Sequence, residues 1–207
     1  MPNYRFPHAT LAVMAKAPIP GQVKTRLIPA LGAEGASRLH AALLRRTVGA
    51  MLHANLCPIQ LWCSPDTDHP EFIELQVLGT VLKTQCPGDL GARMGHAARE
   101  CLETARKVII IGTDCPVLHA GFVEQAIITL TNGHDAIVGP AEDGGYYLLG
   151  LNRTADELFQ SMPWGGERVL LETRRRLDNL GWRWSELAPL WDVDRPEDLQ
   201  RLESVNL

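Results

Sequence analysis

The sequence comprises 207 residues, of which 45% are hydrophobic and 21% are charged, with a formal net charge of −4. This composition is ordinary for a globular protein, and the length suits one domain with a substantial core over residues 1–207. The acidic balance argues against general nucleic-acid binding, and no apolar run reaches the roughly 20 residues that a membrane helix needs. The N-terminus lacks the apolar segment of a signal peptide, so we expect a cytoplasmic protein without a membrane partner. Five cysteines without a Cys-x-x-Cys pair predict reduced thiols rather than disulfides or a zinc site, and the oligomeric state is left open.

The first predicted strand, His8–Ala15, leads into a loop that carries a cluster of positive charge. Proline and glycine exclude regular structure in the loop Lys16–Leu27, while Lys24, Thr25 and Arg26 supply two cations and a hydroxyl group. A loop directly after the first strand of a parallel sheet opens on the ligand side, where phosphate groups could bind these side chains. The Gly-Lys-Ser/Thr ending of a Walker loop and a Gly-x-Gly-x-x-Gly fingerprint are both missing, which weakens the assignment as a P-loop NTPase or a dinucleotide-dependent enzyme. An exposed basic loop without a ligand is the alternative.

The rest of the chain alternates between helices and strands. Helical spacing of apolar residues predicts helices near 33–54, 71–76, 92–105, 121–131 and 167–180. Short β-rich segments predict strands at 58–63, 77–83, 108–111, 135–139, 181–187 and within 140–151. This alternation predicts a three-layer αβα fold with a mostly parallel central sheet and right-handed crossovers.

A glycine-containing loop precedes the predicted helix near 92–105. Gly88 and Gly91 would let the backbone approach a flat ligand, and a helix N-terminus favours anions. A simple turn with a helix cap at Asp89 explains the same residues.

An aspartate stands just after the most hydrophobic strand. The apolar run Val108–Ile111 predicts a strand buried on both faces, and Gly112 ends the run two residues before Asp114. In open parallel sheets the carboxyl ends of the strands form the ligand-binding edge. Asp114 is therefore a candidate ligand for a divalent cation, with capping of the helix that begins near His119 as the alternative. Cys115 has no neighbour that would favour its thiolate, so we expect no covalent nucleophile here.

An acidic turn follows the predicted strand at 135–139. Glu142 and Asp143 precede a double glycine, Gly144 and Gly145, which permits a sharp turn and a close approach of the backbone to a ligand. The two carboxylates could hold an acceptor hydroxyl or serve only as turn residues.

Two aspartates precede the final predicted helix. Asp194 can cap this helix, with Pro196 in its first turn. Capping does not explain Asp192, whose carboxylate is free to reach a metal near Asp114.

Taken together, five stretches resemble the nucleotide-diphospho-sugar transferase superfamily, whose GT-A fold is shared by glycosyltransferases and nucleotidyltransferases. More closely, the chain is similar to the DUF2064 family, glycosyltransferase-like proteins described as radical-SAM/selenodomain-associated transferases, and more distantly to phospholactate guanylyltransferases. The stretches that carry the resemblance span nearly the whole chain in the expected order: Met14–Leu27, Gly88–Met94, Gly112–Pro116, Glu142–Tyr147 and Trp191–Leu199.

The resemblance implies a fold, a cofactor and a set of site residues. The fold is a three-layer, GT-A-like domain, and the cofactor is Mg²⁺ or Mn²⁺ held by Asp114 together with Asp192 or Asp194. The donor, a nucleoside triphosphate or a nucleotide-sugar, would contact Ala15, Lys16, Lys24, Thr25, Arg26, Gln85, Gly88, Leu90 and Arg93. A small-molecule acceptor would lie near Glu142, Asp143, Gly144, Gly145 and Tyr146. Catalysis would depend on Lys24, Arg26 and Asp114.

Two departures from the patterns of the superfamily leave the reaction open. The Gly-x-Gly-x-Arg opening of sugar nucleotidyltransferases is replaced by Pro18-Ile-Pro-Gly21, and a single aspartate stands where many metal-dependent glycosyltransferases have Asp-x-Asp. The Lys-Thr-Arg cluster and the Val-Asp-Arg-Pro-Glu-Asp-Leu ending favour nucleotidyl transfer. Glycosyl transfer on the same fold, and nucleotide binding without turnover, are the alternatives.

Overall fold

A computed structural model of the protein describes residues 3–205. Within these residues the strands are β1 (Ala9–Lys16), β2 (Ile59–Ser64), β3 (Val81–Thr84), β4 (Lys107–Ile111), β5 (Ala136–Pro140), β6 (Tyr146–Leu151) and β7 (Trp184–Glu186). The α-helices are α1 (Ile28–Ala54), α2 (Pro70–Val77), α3 (Leu90–Thr104), α4 (Ala120–Thr131), α5 (Val169–Asn179) and α6 (Asp198–Leu202). Within the same range, no helix is long and apolar enough to cross a membrane.

The strands form one sheet in the order β3-β2-β1-β4-β6-β5-β7. All pairings are parallel except those of β6, which runs antiparallel to both β4 and β5. The reversal follows from the short connection between β5 and β6, since a parallel connection needs a crossover of a dozen residues or more. The mostly parallel sheet predicted from the sequence is confirmed. Its consequence is that the carboxyl ends of β1, β4 and β5 meet the start of β6 at one edge.

Helices cover both faces of the sheet. On one face, α1, α2 and α4 pack against alternate strand residues such as Ile109 and Ile111. On the other face, α3 and α5 pack against the intervening residues, among them Val108 and Ile110. Side chains alternate between the faces of a strand, so a strand buried on both sides must be apolar throughout. The three-layer αβα architecture is likewise confirmed.

A smaller hydrophobic cluster fixes the C-terminal segment beside β4. Val193 is fully buried against Leu27, Ala36 and Leu43. Its backbone N–H donates a hydrogen bond of 2.9 Å to the carbonyl oxygen of Asp114. The last acidic segment of the sequence is therefore held at the tip of the β4 strand.

Several element boundaries differ from the prediction, each for a local reason. The first helix begins at Ile28 and is interrupted at Gly32, whose φ of 69° is not helical, so the predicted start at residue 33 corresponds to the second part. The helix α2 continues to Val77 because Leu75 is buried on its inner face, and β3 is correspondingly shorter than predicted. At the far edge, β7 retains only three residues.

We predict that Gly139 in β5 cannot carry a side chain without loss of stability. A Cβ atom there would lie 2.5 Å from Cζ of Tyr147, whose buried ring crosses the strand. Gly139→Ala should lower the free energy of unfolding by about 1–3 kcal/mol through overpacking. The measurement is urea denaturation. The control is Gly49→Ala in α1, where a Cβ would meet nothing within 4 Å; it should be neutral or stabilise by up to about 1 kcal/mol. Equal stability of the two variants would contradict the prediction.

Candidate active site

A cavity of about 360 Å³ opens at the carboxyl edge of the sheet. Its polar wall contains Lys16, His40, Asp114, Asp143 and Asp192. Its apolar and aromatic wall contains Met14, Leu90, Met94, Tyr146, Tyr147 and Trp164. A concave site with apolar walls and a few convergent polar groups is the usual form of a small-molecule site. A second, more open depression of about 680 Å³ lies between α3 and residues 156–161. Gly91 of the glycine-containing loop lines it, whereas the residues assigned above to the donor, the acceptor and the metal do not.

Asp114 lies at the centre of the polar wall. Its side chain is 52% exposed, and its Oδ1 atom forms an ion pair with the Lys24 ammonium. Burial acts to raise the pKa of Asp114, but the charge and hydrogen bond of Lys24 outweigh it and hold the pKa below its ordinary value. The alternative role as a helix cap is excluded, because α4 begins at Ala120 and is capped by His119.

Lys24 and Arg26 of the basic loop, residues Lys16–Leu27, pair with different carboxylates. Lys24 reaches Asp114 and also donates a hydrogen bond of 2.5 Å to the carbonyl oxygen of Val193. Arg26, in a short 3₁₀ helix with the exposed Thr25, instead forms an ion pair with Asp194. Lys16, whose ammonium donates to the carbonyl of Gln22 at 2.7 Å, is the basic residue of this loop that lines the cavity.

The two late aspartates have different surroundings. Asp192 lines the cavity, and its pKa is raised to about 6 by burial and then by the nearby carboxylates of Asp143 and Asp114. Asp194 faces Arg26 and is not among the cavity residues. The predicted helix cap at Asp194 is wrong, because the carboxylate of Asp198 accepts the N–H groups of Asp194 and Arg195 at 2.9 and 2.7 Å.

The acidic wall fits a divalent cation only in part. Asp114, Asp143 and Asp192 share one cavity, and the pKa of Asp192 is raised first by burial and then by the charges of the other two carboxylates. Within residues 3–205, however, no group of three or more His, Cys, Asp or Glu side chains could hold a metal ion by itself. Mg²⁺ is usually bound by one or two carboxylates and completed by water and substrate phosphates. The residues present fit that mode of binding and not an all-protein cage.

The predicted donor-binding residues of the second loop are largely engaged within the protein. The side-chain amide of Gln85 donates to the carbonyl oxygens of Ala15 and Trp62 at 3.0 and 2.7 Å, which ties the ends of β1 and β2 together. Arg93 donates through Nε to the carbonyl of Gly88 at 3.0 Å. Leu90, 45% exposed, is the member of this group that lines the cavity.

The alternative interpretation of this loop is confirmed as far as its local structure is concerned. Asp89 caps α3 by accepting the N–H group of Ala92 at 2.8 Å.

The turn between β5 and β6 brings some of the predicted acceptor residues into the cavity. Asp143, Gly145 and Tyr146 line it, and Oδ1 of Asp143 accepts the N–H group of Gly145 at 2.8 Å, so this carboxylate is also a turn residue. Gly144 has a φ of 87°, and a Cβ atom there would lie 2.2 Å from the carbonyl oxygen of Glu167. Glu142 points elsewhere and pairs with Arg201 at 2.7 Å.

Several cavity residues had no predicted role in the site, among them His40 and Trp164. His40 of α1 is 6% exposed, and its Nε2 atom lies 2.9 Å from the carbonyl of Lys16, so Nε2 must be the donor. Its buried Nδ1 atom has no hydrogen-bond partner and lies 4.0 Å from Oδ1 of Asp114. Burial lowers the pKa of His40, against the opposing effect of Asp114. Trp164, from a segment interpreted only as a turn, faces the ring of Tyr146 with centroids 6.4 Å apart.

Cys115 is confirmed as an unreactive thiol. It is 4% exposed, and burial raises its pKa to about 12. A thiolate is therefore not available at neutral pH.

We predict that removing the Lys24 charge raises the pKa of Asp114. In metal-free Lys24→Met this pKa should lie above that of the wild type, because the charge and hydrogen bond that hold it below its ordinary value are lost. A depressed folded-state pKa contributes stability above the unfolded pKa that is lost as the pH falls through the folded pKa. The wild type should therefore lose this stabilisation in acid, and Lys24→Met should not. A ¹³C carboxylate NMR titration measures the pKa; an unchanged value in the variant would contradict the prediction.

Comparison with protein families places the chain in one of them. The family model DUF2064, described as an uncharacterized protein conserved in bacteria, matches residues 47–166, more than half of the chain. A comparison with curated proteins finds no match.

Solved structures share the fold along nearly the whole chain. A candidate nucleotide-diphospho-sugar transferase from Desulfovibrio desulfuricans G20 is 27% identical, with a TM-score of 0.85 and coverage of 96% of this chain and 89% of that one. A cytidylyltransferase from Leptospira borgpetersenii is 13% identical, with a TM-score of 0.61 and coverage of 96% and 86%. Glucosyl-3-phosphoglycerate synthase from Mycobacterium tuberculosis, solved with Mn²⁺, UDP and glucosyl-3-phosphoglycerate, is 14% identical, with a TM-score of 0.55 and coverage of 94% and 75%. At their low identities, the last two show a common fold alone.

The family model matches more than half of the chain, and the likeness to the Desulfovibrio structure covers nearly all of it. The chain belongs to the DUF2064 family and has the GT-A-like fold of nucleotide-diphospho-sugar transferases.

Proposed function

We propose that the protein is a metal-dependent transferase that uses a nucleotide or nucleotide-sugar donor, and that it transfers the nucleotidyl group. The observation that carries the proposal is the position of Asp114 at the tip of β4, in contact with Lys24 of the β1 loop and in the same cavity as Asp192. In this arrangement Asp114 and Asp192 provide carboxylates for a metal ion, and Lys24 provides a positive charge for a phosphate group. Phosphoryl and nucleotidyl transfer require both.

The donor phosphates would bind the basic loop. Lys24 and Arg26 carry ammonium and guanidinium groups that now pair with Asp114 and Asp194, and Lys16 lies on the cavity wall. Phosphate oxygens would replace carboxylate oxygens as partners of Lys24 and Arg26, and both kinds of contact are charge-assisted hydrogen bonds. Thr25 adds a hydroxyl donor beside them. A triphosphate uses more of these groups than the diphosphate of a nucleotide-sugar, which favours nucleotidyl transfer.

The cation would be held by Asp114 and Asp192. Both line the cavity, and the excess of negative charge there fits a divalent ion bound together with the donor. When bound, Mg²⁺ or Mn²⁺ would offset the charge that develops on the leaving phosphate. Asp194, paired with Arg26 outside the cavity wall, would contribute by positioning the basic loop.

The acceptor would lie against the β5–β6 turn. Asp143 offers a carboxylate to an attacking hydroxyl, and the backbone at Gly145 allows close approach. Tyr146 and Trp164 form the apolar side of the same region. In nucleotidyl transfer the acceptor oxygen forms a bond to the α-phosphorus, the bond to the bridging oxygen breaks, and pyrophosphate leaves. In glycosyl transfer the same oxygen would attack the anomeric carbon and release a nucleoside diphosphate.

We predict that a donor nucleotide stabilises the folded protein in the presence of a divalent cation. Ligand at about 100 times its dissociation constant adds about 2.7 kcal/mol to the free energy of unfolding. The measurement is thermal unfolding against a panel of nucleoside triphosphates and nucleotide-sugars, with Mg²⁺, with Mn²⁺ and without either. In Asp114→Asn the metal-dependent part of the shift should disappear.

The matched control is Glu186→Gln, which removes another paired carboxylate. Glu186 binds Arg174 at 2.6 and 2.9 Å on the β7 edge and is not a cavity residue, so the ligand-induced shift should persist. A shift with triphosphates followed by pyrophosphate release supports nucleotidyl transfer, whereas a shift with a nucleotide-sugar and release of a nucleoside diphosphate supports glycosyl transfer. A shift without turnover would leave a nucleotide-binding protein. No shift with any donor would overturn the proposal.

A further inference from the structure

Lys24 is held in a fixed arrangement on Asp114. Its backbone φ of 47° lies in the left-handed region, which residues other than glycine adopt infrequently. Its side chain is only 5% exposed, and its ammonium contacts Oδ1 of Asp114 and the carbonyl oxygen of Val193. The Lys24 ammonium is therefore fixed in the site, unlike the ammonium of an exposed surface lysine.

The Oδ1 atom of Asp114 cannot serve Lys24 and a divalent cation equally well. Both would approach lone pairs of one carboxylate, and the two positive charges repel each other at that separation. A cation that binds alone must either displace the ammonium from Oδ1 or bind through Oδ2 close to the ammonium charge. A displaced Lys24 ammonium, whose side chain is 5% exposed, would lose Asp114 and the carbonyl oxygen of Val193, and leaving a nearly buried charge without partners is unfavourable.

A phosphorylated ligand removes this obstacle. Phosphate oxygens give the Lys24 ammonium a new anionic partner, and Asp114 is then released for a cation that also binds the phosphate. The Nδ1 atom of His40 supports this view. It belongs to a nearly buried side chain, has no hydrogen-bond partner and lies 4.0 Å from Oδ1 of Asp114. A buried polar atom without a protein partner requires an explanation, and a bound water molecule or ligand beside Asp114 would supply one.

We propose that Lys24 makes cation binding at Asp114 conditional on a phosphorylated ligand, so that the site takes a divalent cation together with phosphate and only weakly alone. The inference rests on the proposed metal-dependent transfer and assigns Lys24 a role in ligand selection. Because coupling between two ligands is reciprocal, the cation must raise the affinity for phosphate by the same factor by which phosphate raises the affinity for the cation.

The first test is the affinity of the ligand-free protein for Mn²⁺, measured by electron paramagnetic resonance of the unbound ion. Lys24→Met keeps the length of the side chain and removes its charge, so this variant should bind Mn²⁺ at least about tenfold more tightly than the wild type, within the usual range of coupling. The gain should vanish in the double variant Lys24→Met/Asp114→Asn, which assigns it to this carboxylate. Equal Mn²⁺ affinity of wild type and Lys24→Met would overturn the proposal.

The matched control is Lys83→Met. Lys83 forms an ion pair with Glu100 away from the cavity, so this substitution also removes a lysine and frees a carboxylate. Its Mn²⁺ affinity should equal that of the wild type. An equal gain in Lys83→Met and Lys24→Met would mean a general charge effect and would overturn the proposal.

A second measurement uses the wild type and does not depend on the folding of any variant. The ¹⁵N resonance of the Lys24 ammonium should stay unchanged when Mg²⁺ is added alone and should move when Mg²⁺ is added with inorganic pyrophosphate. A shift of the same size with Mg²⁺ alone would overturn the proposal, as would no shift with both. If these results hold while no donor stabilises the protein, the proposed transferase function fails and the conditional cation site stands.

Discussion

The ion pair between Lys24 and Asp114 joins three parts of the chain that are distant in sequence. The ammonium comes from the loop after β1, the carboxylate from the tip of β4, and the carbonyl of Val193 completes the contacts from the C-terminal segment. Val193 is itself fixed by its burial and by its hydrogen bond to the backbone of Asp114. The positions of the basic loop and of Asp192 thus depend on this one junction. Lys24 and Asp114 hold this edge of the sheet together, and they are also the groups that the proposed phosphate and metal ion would contact. Binding of these ligands would therefore replace contacts within the protein by contacts with the ligands.

The reversal of β6 supplies the other half of the site. A crossover helix after β5 would have carried the chain over a face of the sheet and away from its ligand edge. The short turn instead leads directly into β6, which pairs with β4 through Leu148 and Ile111. The turn residues therefore face the tip of β4. Asp143 thereby lies near enough to Asp192 to raise its pKa. The single antiparallel strand brings the late acidic turn to the same cavity as the early basic loop.

The sequence predicts the sheet well because the run Val108–Ile111 and its counterparts must be buried on both faces. It predicts the site less completely, since adjacent residues of one type can point in different directions. Glu142 and Asp143 are chemically alike, yet only Asp143 lines the cavity, because Arg201 binds Glu142 from the last helix. Asp192 and Asp194 differ in the same way: Asp192 lines the cavity, whereas Asp194 pairs with Arg26. His40 could not be found, because it lies on the apolar stripe of α1, where a histidine is more often part of the core.

The ionisation of Asp192 in the cavity opposes folding. A carboxyl group whose folded-state pKa is raised binds its proton more tightly in the native chain than in the unfolded one, so its ionisation at neutral pH costs stability. Asp192, with a pKa of about 6, is in this position because of burial and two neighbouring carboxylates. A single Ala, Asn or Ser at residue 192 or 143 would relieve the repulsion without disturbing the core, since neither side chain belongs to a hydrophobic cluster. Local interactions that oppose folding are expected at functional sites, and the raised pKa of Asp192 beside two other carboxylates is one of them.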